Sequence, residues 1–184
     1  MDEGYDIIKV VFSAGEKSHP HYKEDIITKE RIRETEKISR KFGIKETIYF
    51  GLKDSILSKE INPEIKKQAG DLINKHDPEK IFIPCEKDPH QDHRAVHKAI
   101  IEVIDSISYK GEVYSYEVWN VVKEEKPVKY VDITDYFNKK IKMMKSFRSQ
   151  WHFMYPLLIP AYFRARIYGA KISCKYAEKL YKLR

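Results

Sequence analysis

The chain has 184 residues, 42% of them hydrophobic and 34% charged, with a formal net charge of +7. That balance excludes a disordered or low-complexity polymer and is enough to bury a core in one domain. No apolar run is long enough to span a bilayer and no secretory leader is visible, so a soluble cytoplasmic protein is the expectation. Cys85 and Cys174 are too few for a disulfide framework, and each reads as a small buried residue, with Cys85 close to the candidate site described below. The basic surplus is C-terminal: Lys139 to Arg184 holds twelve lysines and arginines against Glu178 alone, a local +11.

In chain order, Asp6–Phe12 reads as a strand, followed by a polar His19-Pro20-His21 loop whose histidines read as solvated rather than as ligands. A helix is expected from about Thr28 to Phe42, then a short strand over Thr47–Gly51 that ends near Asp54. Asn62-Pro63-Glu64 combines a cap, a first-turn proline and an N-terminal acid. It opens a helix with Ile65, Ala69, Leu72 and Ile73 on its apolar face, stopping before Pro78. Ile81–Pro84 is apolar without alternation, as in a strand buried on both faces. The next helix runs to about Ile107, with Asp88 or Asp92 as its cap. Glu112–Trp119 and Tyr130–Ile133 read as strands, and Phe137, Ile141, Met144 and Phe147 mark a helix ending near Gln150. Strands alternating with helices predict an α/β fold, Rossmann-like, with a mainly parallel sheet and helices on both faces.

In such sheets ligands bind at the carboxyl ends of the strands. The loop after Ile81–Pro84 holds Asp88, His90, Asp92 and His93. His90, His93 and His97 lie three and four apart and share a face if the helix already runs there. Neutral imidazole is the commonest metal ligand, and a carboxylate behind it fixes its tautomer. On spacing alone the alternative stays open that these histidines are simply solvated; the zinc-protease pattern HExxH is absent.

The string Asp88-x-His90-x-Asp92-His93-Arg94-Ala95-x-His97 resembles the second motif of the LmbE/PIG-L zinc-dependent de-N-acetylases, which act on N-acetylglucosamine-type amino sugars. Ser13-Ala14-Gly15 resembles that family's T-x-G turn, Arg31-x-x-Glu34 with Phe42-Gly43-Ile44 its R-x-x-E helix, and Phe50-Gly51-Leu52-Lys53-Asp54 its LG-x-x-D turn. Asp132-Ile133-Thr134, Lys142, Ser149-Gln150 and Tyr176-Ala177-Glu178 resemble later landmarks, so the likeness runs through nearly the whole chain in order. By resemblance His93 is a metal ligand, Asp92 holds ligand or loop geometry, and His90 stabilises the oxyanion or protonates the departing amine. Arg31 and Asp54 touch sugar hydroxyls. The cofactor implied is zinc, and the partner an amino sugar or glycoconjugate.

The family's A-H-P-D-D-E string, which carries two further metal ligands and the general base, does not occur, and Met1-Asp2-Glu3 is no substitute. The expectation is therefore one domain over residues 1–184, truncated at its N-terminus relative to the family, with zinc weak or absent and hydrolysis incomplete or lost. A non-catalytic sugar-binding or subunit protein of the same descent is the alternative. A central strand would be missing as well, leaving two neighbouring strands with exposed ladder edges. A nucleic-acid binder, prompted by the pI of 9.1, ranks last because no nucleic-acid motif is present. Finally, Trp151–Phe163 is almost wholly apolar, carries Pro156 and Pro160, and is flanked by basic residues. It reads as a weak membrane-surface contact or as a run packed on the core or on a second copy of the chain.

Overall fold

The computed structural model describes residues 4–18, 23–118 and 121–184, with 18 and 152–154 described by backbone alone. Met1–Glu3, the His19-Pro20-His21 loop and the Trp119 end of the predicted strand lie outside the described residues. The chain runs β1 (Ile8–Ser13), a 3-10 turn (Glu16–Ser18), α1 (Glu24–Phe42), β2 (Glu46–Leu52), α2 (Leu57–Glu60), α3 (Pro63–His76), β3 (Lys80–Pro84) and α4 (Gln91–Ser106). It continues through β4 (Glu112–Tyr116), β5 (Val128–Asp132), α5 (Phe137–Met144), a 3-10 turn (Arg148–Gln150), α6 (Trp151–Lys171) and β6 (Ala177–Lys182).

Local chemistry sets most of these boundaries. Asn62 caps α3 by accepting from Ile65 N at 3.0 Å, with Pro63 in the first turn where its missing N–H costs nothing. Gly43 closes α1 in the left-handed region at φ 70, its N–H donating to the Arg40 carbonyl. The cap of α4 differs from expectation. It is His90, whose Nδ1 accepts from Asp92 N at 3.2 Å, because both candidate carboxylates are engaged elsewhere.

The fold is α/β with helices on both sides of the sheets, as predicted. β1 and β2 pair in parallel, and so do β3 and β4; β6 then inserts antiparallel between β4 and β5. The central core joins Ala69 of α3, Ile83 of β3, Val113 of β4 and Ile100, Val103 and Ile104 of α4, with Phe12 and Phe50 packed against it from β1 and β2. Ile104 and Val113 are wholly buried, each contributing about 1.5–3 kcal/mol relative to exposure.

Among the described residues no ladder joins β1 to β3, so the strands form two sheets. The beginnings of β1 and β3 lie together, where Lys80 Nζ donates to Tyr5 OH at 3.0 Å and sits 4.4 Å from its ring centre. Among the described residues β1 pairs only with β2 and β3 only with β4, so each keeps one ladder edge unpaired, as expected. This arrangement changes one expectation. β3 is not buried on both faces: Phe82 is 51% exposed, stacked on Tyr114 at a ring-centre distance of 5.6 Å. Two further differences are C-terminal. The run from Trp151 is a 21-residue helix despite its two prolines, and β6 is a sixth strand that the alternation pattern alone did not mark.

Candidate active site

The carboxyl ends of β1, β2 and β3 converge, and their loops are tied together by hydrogen bonds from side chain to main chain. After β1 the chain turns at Gly15, in the left-handed region at φ +71. A Cβ there would lie 2.2 Å from Arg31 Nη1, so only glycine lets the turn and the guanidinium occupy the same corner. Arg31, buried on α1, donates through Nη1 to the Ala14 and Gly15 carbonyls. Burial pulls its guanidinium down from the ordinary value, while Asp54, Glu34 and Glu16 pull it back up.

The β2 loop is held from two sides. Glu16 accepts from Asp54 N at 2.8 Å, and Asp92 accepts from Ser55 N at 2.6 Å and Leu57 N at 3.1 Å. Ser55 takes φ 65, a left-handed conformation uncommon for a residue with a side chain, and the Asp92 carboxylate holds it there. Gln91 donates to the Ser55 carbonyl from the other side at 2.6 Å. The Asp54 carboxyl is pushed above the usual carboxylate range, chiefly by burial and then by Glu16 and Asp92, with the Ser55 N–H opposing.

The β3 loop presents the histidines. Asp88, almost fully buried, accepts from His93 Nδ1 at 2.9 Å and from His90 N at 2.8 Å through the same oxygen. Arg94 clamps the loop by donating to the Asp88 and Pro89 carbonyls. His93 keeps 27% of its side-chain surface and, with Nδ1 engaged, offers Nε2 to a ligand; its ring centre is 4.8 Å from that of His90. The second Asp88 oxygen is buried without a hydrogen-bond partner. Tyr116 stands close by, its phenol pushed up by burial first and then by Asp88 and Cys85.

The five residues singled out from sequence thus come together at one edge, in two layers. His90 and His93 face outward. Asp92 faces inward as a loop fastener, Arg31 lies beneath the β1 turn, and Asp54 sits half-buried between the acids. His97 leaves the histidine row: its Nδ1 meets the Pro84 carbonyl at 2.8 Å inside the protein. Cys85 is fully buried, and burial pushes its thiol up to about 12, so it is an inert core group. Sequence reasoning placed Asp88 in the site loop and weighed it as a helix cap, but gave it no role behind His93, although an acid five positions before a histidine was in view. Glu16 carried no sequence signal, since only the β1 turn brings it to the β2 loop.

An oriented imidazole backed by a buried carboxylate is the usual environment of a metal-binding histidine, and an unpartnered buried carboxylate oxygen beside it is compatible with a cation there. The donor set nevertheless falls short. Among the described residues there is no group of three His, Cys, Asp or Glu side chains that could hold a metal ion, and a zinc site needs at least three protein donors. These residues do not by themselves fit a complete zinc site.

A sequence model described as PIG-L: GlcNAc-PI de-N-acetylase matches residues 1–104. Searching curated proteins gives no significant match. Among solved structures the chain is similar to N,N'-diacetylchitobiose deacetylase from Pyrococcus horikoshii, at TM-score 0.81 and 24% identity over 99% of this chain and 74% of that one. It is also similar to GalB, the 4-carboxy-2-hydroxymuconate hydratase of Pseudomonas putida KT2440, at TM-score 0.83 and 18% identity over 100% and 86%. The zinc-inhibited form of teicoplanin deacetylase Orf2 aligns at TM-score 0.75 and 12% identity over 98% and 88%. At these identities the likeness establishes the fold, and a hydratase among the matches shows that the fold alone does not choose the reaction.

Proposed function

Since the chain belongs to the PIG-L family of GlcNAc-PI de-N-acetylases, we propose that its site serves amide hydrolysis on an N-acetylated amino sugar or glycoconjugate. Water adds across the C–N bond, acetate leaves with the oxygen, and the sugar amine leaves with a proton. The observation that carries this reading is the Asp88–His93 contact of 2.9 Å beside His90, at the carboxyl edge of the strands. His93 holds the ligand end of the site and Asp88 fixes its tautomer. His90 is placed to stabilise the developing oxyanion or to give the amine its proton. Asp54 accepts from sugar hydroxyls, with Arg31 behind it as countercharge and anchor of the turn. Zinc is the metal implied by the family. When bound it would supply a Lewis acid and an activated water, and His93 is the residue here that would hold it.

The donor shortfall supports a second reading, a sugar-binding protein of the same descent without turnover. One set of measurements on the purified chain separates the two. We expect substoichiometric zinc that dialysis removes, and binding of N,N'-diacetylchitobiose that weakens about tenfold in Asp54→Ala, a loss of the size set by one hydrogen bond to a charged group. With zinc added, the hydrolytic reading predicts acetate release that His93→Ala abolishes, and the sugar-binding reading predicts none above that control. Release that depends on His93 would establish the enzyme and refute the shortfall, as would one zinc per chain surviving dialysis. Absence of sugar binding together with absence of turnover would overturn the amino-sugar reading itself.

A further inference from the structure

Helix α6 buries one face and leaves the other bare. Inward, Ala165 packs with Phe137 of α5 and Tyr176, while Tyr168 donates to Glu117 at 2.7 Å. Outward, Trp151, Tyr155, Ile159, Phe163 and Ile167 follow one another at intervals of four and are each between 46% and 64% exposed. Four-residue spacing advances about 40° around the axis at each step, so the five form a winding stripe that covers roughly half of the helix circumference. A helix of this length reaches about 30 Å, so the stripe is far longer than the scattered apolar side chains of an ordinary surface. The core takes the other side of this run, where Ala161 is buried, and leaves these five side chains uncovered.

Charge selects the occupant. No Asp or Glu occurs between Asp135 and Glu178. Exposed Lys142, Lys145 and Arg148 precede the stripe, exposed Arg166 stands beside its last member, and exposed Lys171 and Lys175 follow it. A second copy packed by two-fold symmetry would set these cationic ends against each other, a repulsive arrangement. No helix among the described residues is long and apolar enough to cross a membrane. An uncharged aromatic and aliphatic face with cations at both ends matches a helix lying in the plane of a bilayer, with its side chains at the acyl boundary and its cations among acidic headgroups.

We propose that the outer face of α6 docks on an anionic lipid surface. The test is co-sedimentation of the full chain with vesicles of phosphatidylcholine alone and of phosphatidylcholine with phosphatidylglycerol, at low and at high salt. The expected result is pelleting with the acidic vesicles at low salt, lost at high salt and absent without the acidic lipid. Ile159→Ser with Phe163→Ser should weaken the partition by about tenfold or more. Both positions are exposed, so the far-ultraviolet circular dichroism should not change. Light scattering of both proteins supplies the competing outcome: a wild-type dimer that the double substitution converts to monomer shows that a second copy covers the face and overturns the proposal. So does failure to pellet with acidic vesicles, equal pelleting with neutral ones, or pelleting that the double substitution leaves intact.

Discussion

The Asp88 carboxylate and His93 Nδ1 lie 2.9 Å apart, with the acid almost wholly buried and the imidazole facing out. This pair assigns the histidine's tautomer: Nδ1 carries the proton toward Asp88, and Nε2 is the nitrogen offered to a ligand. Asp88→Asn should keep the His90 N–H bond through the amide oxygen and lose the carboxylate's hold on the ring. We expect zinc affinity to fall by about 10–100-fold, measured by chelator competition, and nitrogen chemical shifts of His93 to show a mixture of tautomers. An unchanged affinity would mean that the pair is structural only.

Asp92 joins the start of α4 to the β2 loop through Ser55 N and Leu57 N. Asp92→Ala orphans both donors, a loss of about 3 kcal/mol, and the relief of repulsion on Asp54 recovers a smaller part. The thermal midpoint should drop on the order of 10 °C. A shift within a degree or two would show that the loop holds its left-handed Ser55 without this acceptor.

Asp54 gives a pH dependence with a definite sign. Its carboxyl is raised in the folded state by burial, Glu16 and Asp92, so the native protein binds this proton more tightly than the unfolded chain. Stability from this group therefore declines as pH rises from the unfolded carboxylate value through the folded one, and stays low above it. Asp54→Asn should raise the midpoint at pH 7, with the gain vanishing as pH falls below the ordinary carboxylate range. A substitution that destabilises at pH 7 would contradict the assignment. A carboxylate kept where it weakens the fold is the pattern expected of a functional group.

Cys85 should behave as a core residue. With its thiol near 12 against an ordinary 9.0, the thiolate fraction at pH 8 is about a thousandfold reduced. In a Cys174→Ser background, Ellman's reagent should react with the native protein at least that much more slowly than with the denatured chain. Rapid native reaction would place Cys85 at a surface.

Several parts of this protein were legible before any coordinates. Asn62-Pro63, Gly43 and the apolar periodicities act within a few residues, so α3, the end of α1 and the presence of α4 follow from local chemistry, whereas the start of α1 at Glu24 and the His90 cap of α4 do not. The Asp88–His93 string was equally visible, because a loop between a strand and a helix keeps its chemical residues adjacent in sequence. The layering of the site was not visible. Whether Asp92 faces a ligand or the Ser55 amide, and whether His97 joins His93 or the Pro84 carbonyl, depends on which backbone groups arrive from β2 and β3. Glu16 reaches Asp54 only because two strands paired in parallel deliver their carboxyl ends to one edge. The exposed stripe of α6 is tertiary in the same sense. Composition marks an apolar run, but only the packing of Ala165 and Tyr168 against α5, β6 and Glu117 decides which of its side chains are left facing outward.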